Sequence, residues 1–213
     1  LLEANSERAV TLGDVARRAR VVASTVGPFI NYGEPLVAAC AEAGTDYCDI
    51  TGEPEFVDRM YLAHHAIAAD SGARLVHCCG FDSIPHDLGA RFAVRALTGS
   101  RGDGSPDEGT DPGYPITLRG VVRSAGTFSG GTLHSALHAF PRARLAKAAF
   151  ADRRRAEGRP DGRRSRAVAG KPQRDGLLGY WLLPLPTIDP IIVARSGAAL
   201  ASYGPDFRYS HYA

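Results

Sequence analysis

"VVASTVGPFINYGEPLVAACAEAG", residues 21–44, changes its period halfway. Val21 to Val26 is apolar and β-branched, the pattern of a strand suited to burial on both faces. Gly27-Pro28 ends it. From Gly33 to Ala43 the apolar positions Leu36, Val37, Cys40 and Ala43 follow helical spacing, with Pro35 suited to the first turn and Gly44 to the stop. Strand, Gly-Pro turn, helix is a common way to build a ligand site. Here no phosphate-binding glycine fingerprint precedes it.

The same unit recurs twice more. Thr45 to Ile50 reads as a strand, Thr51-Gly52-Glu53-Pro54 as a tight loop, and Glu55 to Ser71 as a helix capped by Gly72. Arg74 to Cys79 is a third strand, Gly80 to Pro85 its loop, and Pro85 to Leu97 a third helix. This alternation predicts an α/β fold of parallel βαβ units in a doubly wound sheet. All three strand-to-helix loops then lie at the carboxyl edge of the sheet, where such folds bind ligands.

Those loops, "TVGPF", "TGEP" and "CCGFDSIPHDLG", are the candidate site. Glycine lets a ligand come close to the backbone, and free N–H groups at a helix start bind an anion or a ribose hydroxyl. Glu53 and Asp82 are hydrogen-bond acceptors for ribose or nicotinamide groups. Any one loop is an ordinary turn; three aligned loops favour a ligand edge.

Composition narrows the classes. The chain has 213 residues, 44% of them hydrophobic, enough to bury a core. A net charge of +2 gives no case for nucleic acid or for a strongly anionic surface. Cys40, Cys48, Cys78 and Cys79 form no CxxC pair and no zinc spacing with nearby histidines, so a reduced, cytoplasmic protein without a metal site is expected. No apolar run reaches the length of a membrane span; the closest, residues 176–194, is broken by three prolines and Asp189. The N-terminal residues form no charged-then-apolar signal segment, and the chain reads as a piece of a longer protein.

Past residue 97 the pattern changes. Residues 98–115 are rich in Gly, Pro, Asp and Ser and predict a flexible loop. Strand patterning returns at Ile116 to Ser124, and "SGGT", residues 129–132, leads into a helix. Residues 151–175 carry eight arginines and little apolar content, the pattern of a disordered, solvated insert. The expected organisation is therefore residues 1–97, then the loop, then an α+β domain over 116–213.

Other chemistries read less well. His77 and Cys78 are consecutive strand residues that point apart, which argues against a Cys–His nucleophile. Ser83 lacks a GxSxG elbow and suits a helix N-cap. His134 and His138 share a helix face without a third ligand, His64 and His65 diverge, and "SGGT" lacks the lysine of a P-loop.

Four stretches in order carry a family resemblance: "TVGPFINYGEPLVAACAEAGTDYCDITGE", "GARLVHCCGFDSIPHDLG", "GTFSGGT" and the closing "LPLPTIDPIIVARS" with "YGPDFRYSHY". Together they resemble the saccharopine dehydrogenase-like oxidoreductases, more narrowly the branch described as trans-acting enoyl reductases. The resemblance implies the C-terminal part of a Rossmann-type NAD(P)-binding domain over 1–97 and a substrate domain over 116–213, with the glycine fingerprint upstream of Leu1. It implies NADP or NAD as cofactor, contacted by Thr25, Val26, Gly27, Pro28, Gly52, Glu53, Gly80, Phe81 and Asp82. Asp82 is the candidate for a catalytic part. The implied reaction is hydride transfer to a double bond of an acyl or polyketide lipid intermediate, presented as a small molecule or on an acyl carrier. Peripheral membrane contact is compatible with that substrate. The alternative is a non-catalytic protein of the same fold that works at a lipid surface through residues 176–194. The sequence sets no oligomeric state.

Overall fold

A computed structural model describes residues 3–6, 8–81, 83–99, 111–123, 140–158, 160, 162–185 and 187–213. In chain order the elements are α1 (Ala9–Arg18), β1 (Val21–Ser24), α2 (Phe29–Tyr32), α3 (Glu34–Ala43), β2 (Asp46–Asp49), α4 (Pro54–Ser71), β3 (Leu75–Val76) and α5 (Ile84–Thr98). Then follow β4 (Ile116–Val121), α6 (Ala143–Glu157), β5 (Arg164–Ala167), β6 (Gln173–Arg174), β7 (Trp181–Leu182), α7 (Asp189–Ala199) and β8 (Asp206–Tyr212). They divide into two units, the first from the described residues of 1–80 and 127–158, the second from those of 81–126 and 159–213.

In the first unit β1, β2 and β3 form a parallel sheet in that order, with Val21 opposite Asp46 and Tyr47 opposite Leu75. Residues paired across a parallel ladder share a face, so Val22, Tyr47 and Leu75 point one way. On that side lies a core of Ala16, Phe29, Val37, Cys40, Tyr47, Phe56 and Met60 from the sheet and helices α1 to α4. The opposite face carries Val21, 57% exposed, and Val76, 50% exposed, so among the described residues only one face of this sheet is covered. Burial of β1 on both faces, as its composition suggested, is therefore not what the described residues show. Mixed α/β architecture with parallel strands is.

Several boundaries differ from the sequence expectation for local reasons. Helix begins at Phe29, directly after the Gly27-Pro28 pair, because the Glu53 carboxylate accepts the backbone N–H groups of Phe29 and Ile30. Gly33 then joins α2 to α3 where a side chain has no room. An added Cβ would come within 2.6 Å of the Phe56 ring and 2.8 Å of the Phe29 carbonyl oxygen. Helices α3 and α4 end as expected, at Gly44 (φ 70°) and Gly72 (φ 82°), in the left-handed region that favours glycine. The strand β3 is only two residues long, because Cys78 takes a φ of 63° and turns the chain out of the ladder.

The second unit holds a parallel sheet in the order β4-β8-β5 and a short antiparallel pair, β6 with β7. Helices α5 and α7 contribute to a core of Ala90, Val94, Ile116, Val193, Tyr203, Phe207 and Tyr209.

The arginine-rich stretch 151–175 is not a disordered insert over its described residues. Residues 151–157 complete α6, and 164–167 and 173–174 are β5 and β6. A buried ion pair anchors the α6 part: Arg153 and Asp58, each 3% exposed, meet at 2.7 Å between Nε and Oδ1, while β5 pairs with β8 and β6 with β7. Arg142 adds a two-pronged contact to Glu55, at 2.9 and 2.5 Å. No helix among the described residues is long and apolar enough to cross a membrane.

Candidate active site

The in-phase parallel pairing of β1, β2 and β3 puts their carboxyl ends at one edge, and two carboxylates lace the loops there. Glu53, from the loop after β2, reaches the loop after β1: Oε1 accepts the N–H of Phe29 at 3.0 Å and Oε2 that of Ile30 at 2.9 Å. A carboxylate at a helix start also meets the positive end of the helix dipole. Thr51 prepares this reach, since its hydroxyl oxygen accepts the N–H of Glu53 at 3.2 Å.

Asp49, the last residue of β2, does the same toward β3. It is buried, with Oδ1 accepting the N–H of Thr51 at 3.1 Å and that of Cys78 at 3.0 Å. Its Oδ2 lies 2.6 Å from His77 Nδ1, and its backbone carbonyl accepts the N–H of Cys79 at 2.6 Å. The left-handed turn at Cys78 is thus held from below by one buried carboxylate. His77 lies edge-on to Tyr47 and Phe56, so its ring seals the core beneath the loops. Burial, with Asp49 as a further cause, pushes the Tyr47 phenol up, so Tyr47 stays neutral under the edge.

Of the sequence-predicted residues, Thr25, Val26 and Gly27 are exposed, Pro28 is partly buried, and Gly52 is exposed at the tip of its loop. A Cβ at Gly27 would find its nearest neighbour, the Phe29 ring, at 3.6 Å, so open space adjoins that backbone. Gly80 is closely packed instead: a Cβ there would stand 3.2 Å from the Ile50 Cβ. The structure therefore brings Thr25 to Pro28, Gly52, Glu53 and Gly80 into one unit at one edge. Phe81 belongs to the second unit, exposed and edge-on to His86. Asp82, "SGGT" and the His134/His138 pair lie outside the described residues.

The sequence reading missed the roles of Asp49 and His77. It treated His77 as a possible base for a cysteine or serine nucleophile, while its partner sits 28 residues earlier. Burial first, then Cys48 and Asp49, pushes the Cys79 thiol above its ordinary range, against thiolate chemistry. Ser83 occupies the N-cap position of α5, but its hydroxyl makes no capping bond; its backbone carbonyl accepts the N–H groups of His86 and Asp87 instead. His64 is buried with Nε2 3.6 Å from Glu34, and His65 stacks on Tyr61.

No family model and no solved structure matches the chain. Curated relatives do. A Mycobacterium tuberculosis protein that bears the provisional name of trans-acting enoyl reductase is 42% identical over 227 aligned positions, which include 99% of this chain and 51% of the relative. Two proteins named trans-acting enoyl reductase match a shorter part. One, from Mycobacterium ulcerans, is 52% identical over 95 residues, 45% of this chain and 23% of the relative. The other, from Mycobacterium bovis, is 54% identical over 88 residues, 41% and 21% respectively. The chain thus spans about half the length of the first of these relatives and less of the others. Along nearly its whole length, this chain is a homologue of proteins that bear the provisional name of trans-acting enoyl reductase.

Proposed function

We propose that the protein is an NAD(P)-dependent enoyl reductase of the saccharopine dehydrogenase-like class, acting on a double bond of an acyl or polyketide lipid intermediate. The observation that carries this reading is the sheet edge of the first unit. Three loops, after three parallel strands, are laced by Asp49 and Glu53 and present exposed backbone at Thr25 to Gly27 and at Gly52. That is the edge at which a Rossmann-type sheet binds a dinucleotide. Homology to named enoyl reductases supplies the reaction class.

A nicotinamide cofactor, when bound, supplies the hydride. The chain's part is to bind and orient. Thr25, Val26, Gly27 and Pro28 offer a close backbone approach, and Gly52 adds a second. Glu53 fixes the first loop by capping α2, so it acts as a positioning residue with its carboxylate turned to the backbone. Gly80, Phe81 and Asp82 complete the predicted contact set, with Asp82 assigned the catalytic part. The acyl substrate is a small molecule or is held on an acyl carrier.

Titration of NADPH into the intact protein, followed by nicotinamide fluorescence, tests the reading. Saturable binding is expected below roughly millimolar cofactor. Gly27→Val fills open space, not the core, and is expected to weaken binding on the order of tenfold, about 1.4 kcal/mol. No binding at roughly millimolar NADPH would overturn the oxidoreductase reading. If the protein then floated with liposomes, the exposed Leu177, Trp181 and Leu183 would make a non-catalytic lipid-surface role the better account.

A further inference from the structure

The second unit gathers three groups that no sequence spacing announces. His86 lies in the first turn of α5, Asp189 opens α7, and His211 lies in β8. One donor atom from each falls within 4.8 Å of the other two. His211 Nε2 stands 3.8 Å from Asp189 Oδ2, and the His86 and His211 rings meet edge to face at 4.6 Å. His211 and Asp189 are 3% and 2% exposed, while His86 is partly exposed.

Two of the three are held by neighbours. The Tyr209 hydroxyl lies 2.9 Å from His211 Nδ1, and the Thr187 hydroxyl donates to Asp189 Oδ2. Gly120, opposite His211 in the β4–β8 ladder, makes room for this arrangement: a Cβ there would fall 1.9 Å from the Tyr209 oxygen and 3.0 Å from His211 Nδ1. With Nδ1 engaged, Nε2 is the ring atom left to face Asp189. It is buried and has no hydrogen-bond partner among the described residues. The 3.8 Å to Asp189 is too long for a hydrogen bond. A buried polar atom left in this way is costly, on the order of 1–3 kcal/mol.

We propose that His86, Asp189 and His211 form a three-ligand site for a divalent transition-metal cation of the zinc class. Two imidazole nitrogens and one carboxylate oxygen suit that class. Metal–ligand bonds of ~2.0–2.1 Å in a tetrahedron set the donors ~3.3 Å apart, so the cluster closes by on the order of 1 Å, chiefly through the less buried His86. Tyr209 and Thr187 then act as the outer partners that orient ligating side chains. Three protein ligands leave a fourth position for water or a carbonyl oxygen.

The test uses the intact protein, stripped with a chelator, then titrated with Zn²⁺ by calorimetry and with Co²⁺ by visible absorption. One equivalent is expected to bind, with a tetrahedral Co²⁺ spectrum and no thiolate charge-transfer band, since Cys40, Cys48, Cys78 and Cys79 are the competing donors. His86→Ala and Asp189→Asn are each expected to weaken binding at least ~10–100-fold, the range set by loss of even an outer partner. Because Asp189 is deeply buried, circular dichroism accompanies both variants, and His86→Ala alone decides if Asp189→Asn unfolds. Absence of binding, a thiolate band, or unchanged affinity in His86→Ala would overturn the proposal.

Discussion

Asp49 holds four donors with three oxygens. Its carboxylate takes the N–H groups of Thr51 and Cys78 on one oxygen and His77 on the other, while its backbone carbonyl takes Cys79. Asp49→Asn can keep the two backbone bonds on its single carbonyl, but it sets an NH₂ group against His77. The expected loss is about 1–3 kcal/mol of stability, the usual cost of a disrupted buried hydrogen bond to a charged group, read from urea unfolding of the intact protein. A change within ~0.5 kcal/mol, the range of an unremarkable surface substitution, would show that Asp49 does not hold the loops. None of this was legible in "DYCDITGE". A terminal strand carboxylate is a common residue, and its partners at 77 to 79 become neighbours only once β2 and β3 pair. What the local sequence did carry was the turn chemistry: Gly44 and Gly72 end α3 and α4 where they were expected to, while β1 stops at Ser24, short of the Gly27-Pro28 pair.

At the scale of elements, α4 and α6 are joined by charge. Arg153 and Asp58 are 95 residues apart in sequence and both buried, so neither can lose its partner cheaply. Arg153 also pairs with Glu157 one turn on and lies over the Phe150 ring at 5.2 Å, which gives its guanidinium further support. Arg153→Ala leaves the Asp58 charge buried and is expected to cost about 3–5 kcal/mol. The double replacement Asp58→Leu with Arg153→Met removes both charges and should recover most of that loss. Equal losses in the single and double variants would mean that packing, not charge, joins the helices. The pair explains why the arginine run misled a reading by composition. Among the described arginines of 151–175, one is a core residue, and a charge count gives the same weight to Arg153 as to the exposed Arg154 and Arg155. Only the structure of α4, far upstream, distinguishes them.

For the molecule as a whole, the repeated strand–helix alternation was legible because each βα unit writes its period locally, over 20 to 30 residues, and the parallel order β1-β2-β3 follows from it. The covering of the sheet was not legible, because strand composition reports burial without naming what provides it. Val21 and Val76 have the composition of a fully buried parallel strand, yet they stand 57% and 50% exposed. Parallel sheets are ordinarily covered on both faces. The doubly wound reading therefore requires that the intact protein cover this face, and it can be tested there. Val→Thr keeps the β-branched shape and adds one hydroxyl. On an exposed face Val21→Thr and Val76→Thr should each change stability by no more than about 0.5 kcal/mol. On a covered face each places an unpaired hydroxyl in an apolar layer, at a cost of about 1–3 kcal/mol. The proposed dinucleotide-binding fold predicts the larger losses in thermal unfolding of the intact protein, near 2 kcal/mol at each position. Two near-neutral substitutions would mean that the face stays open, and a one-layered sheet would then have to carry the cofactor edge without the second helical layer that the fold supplies.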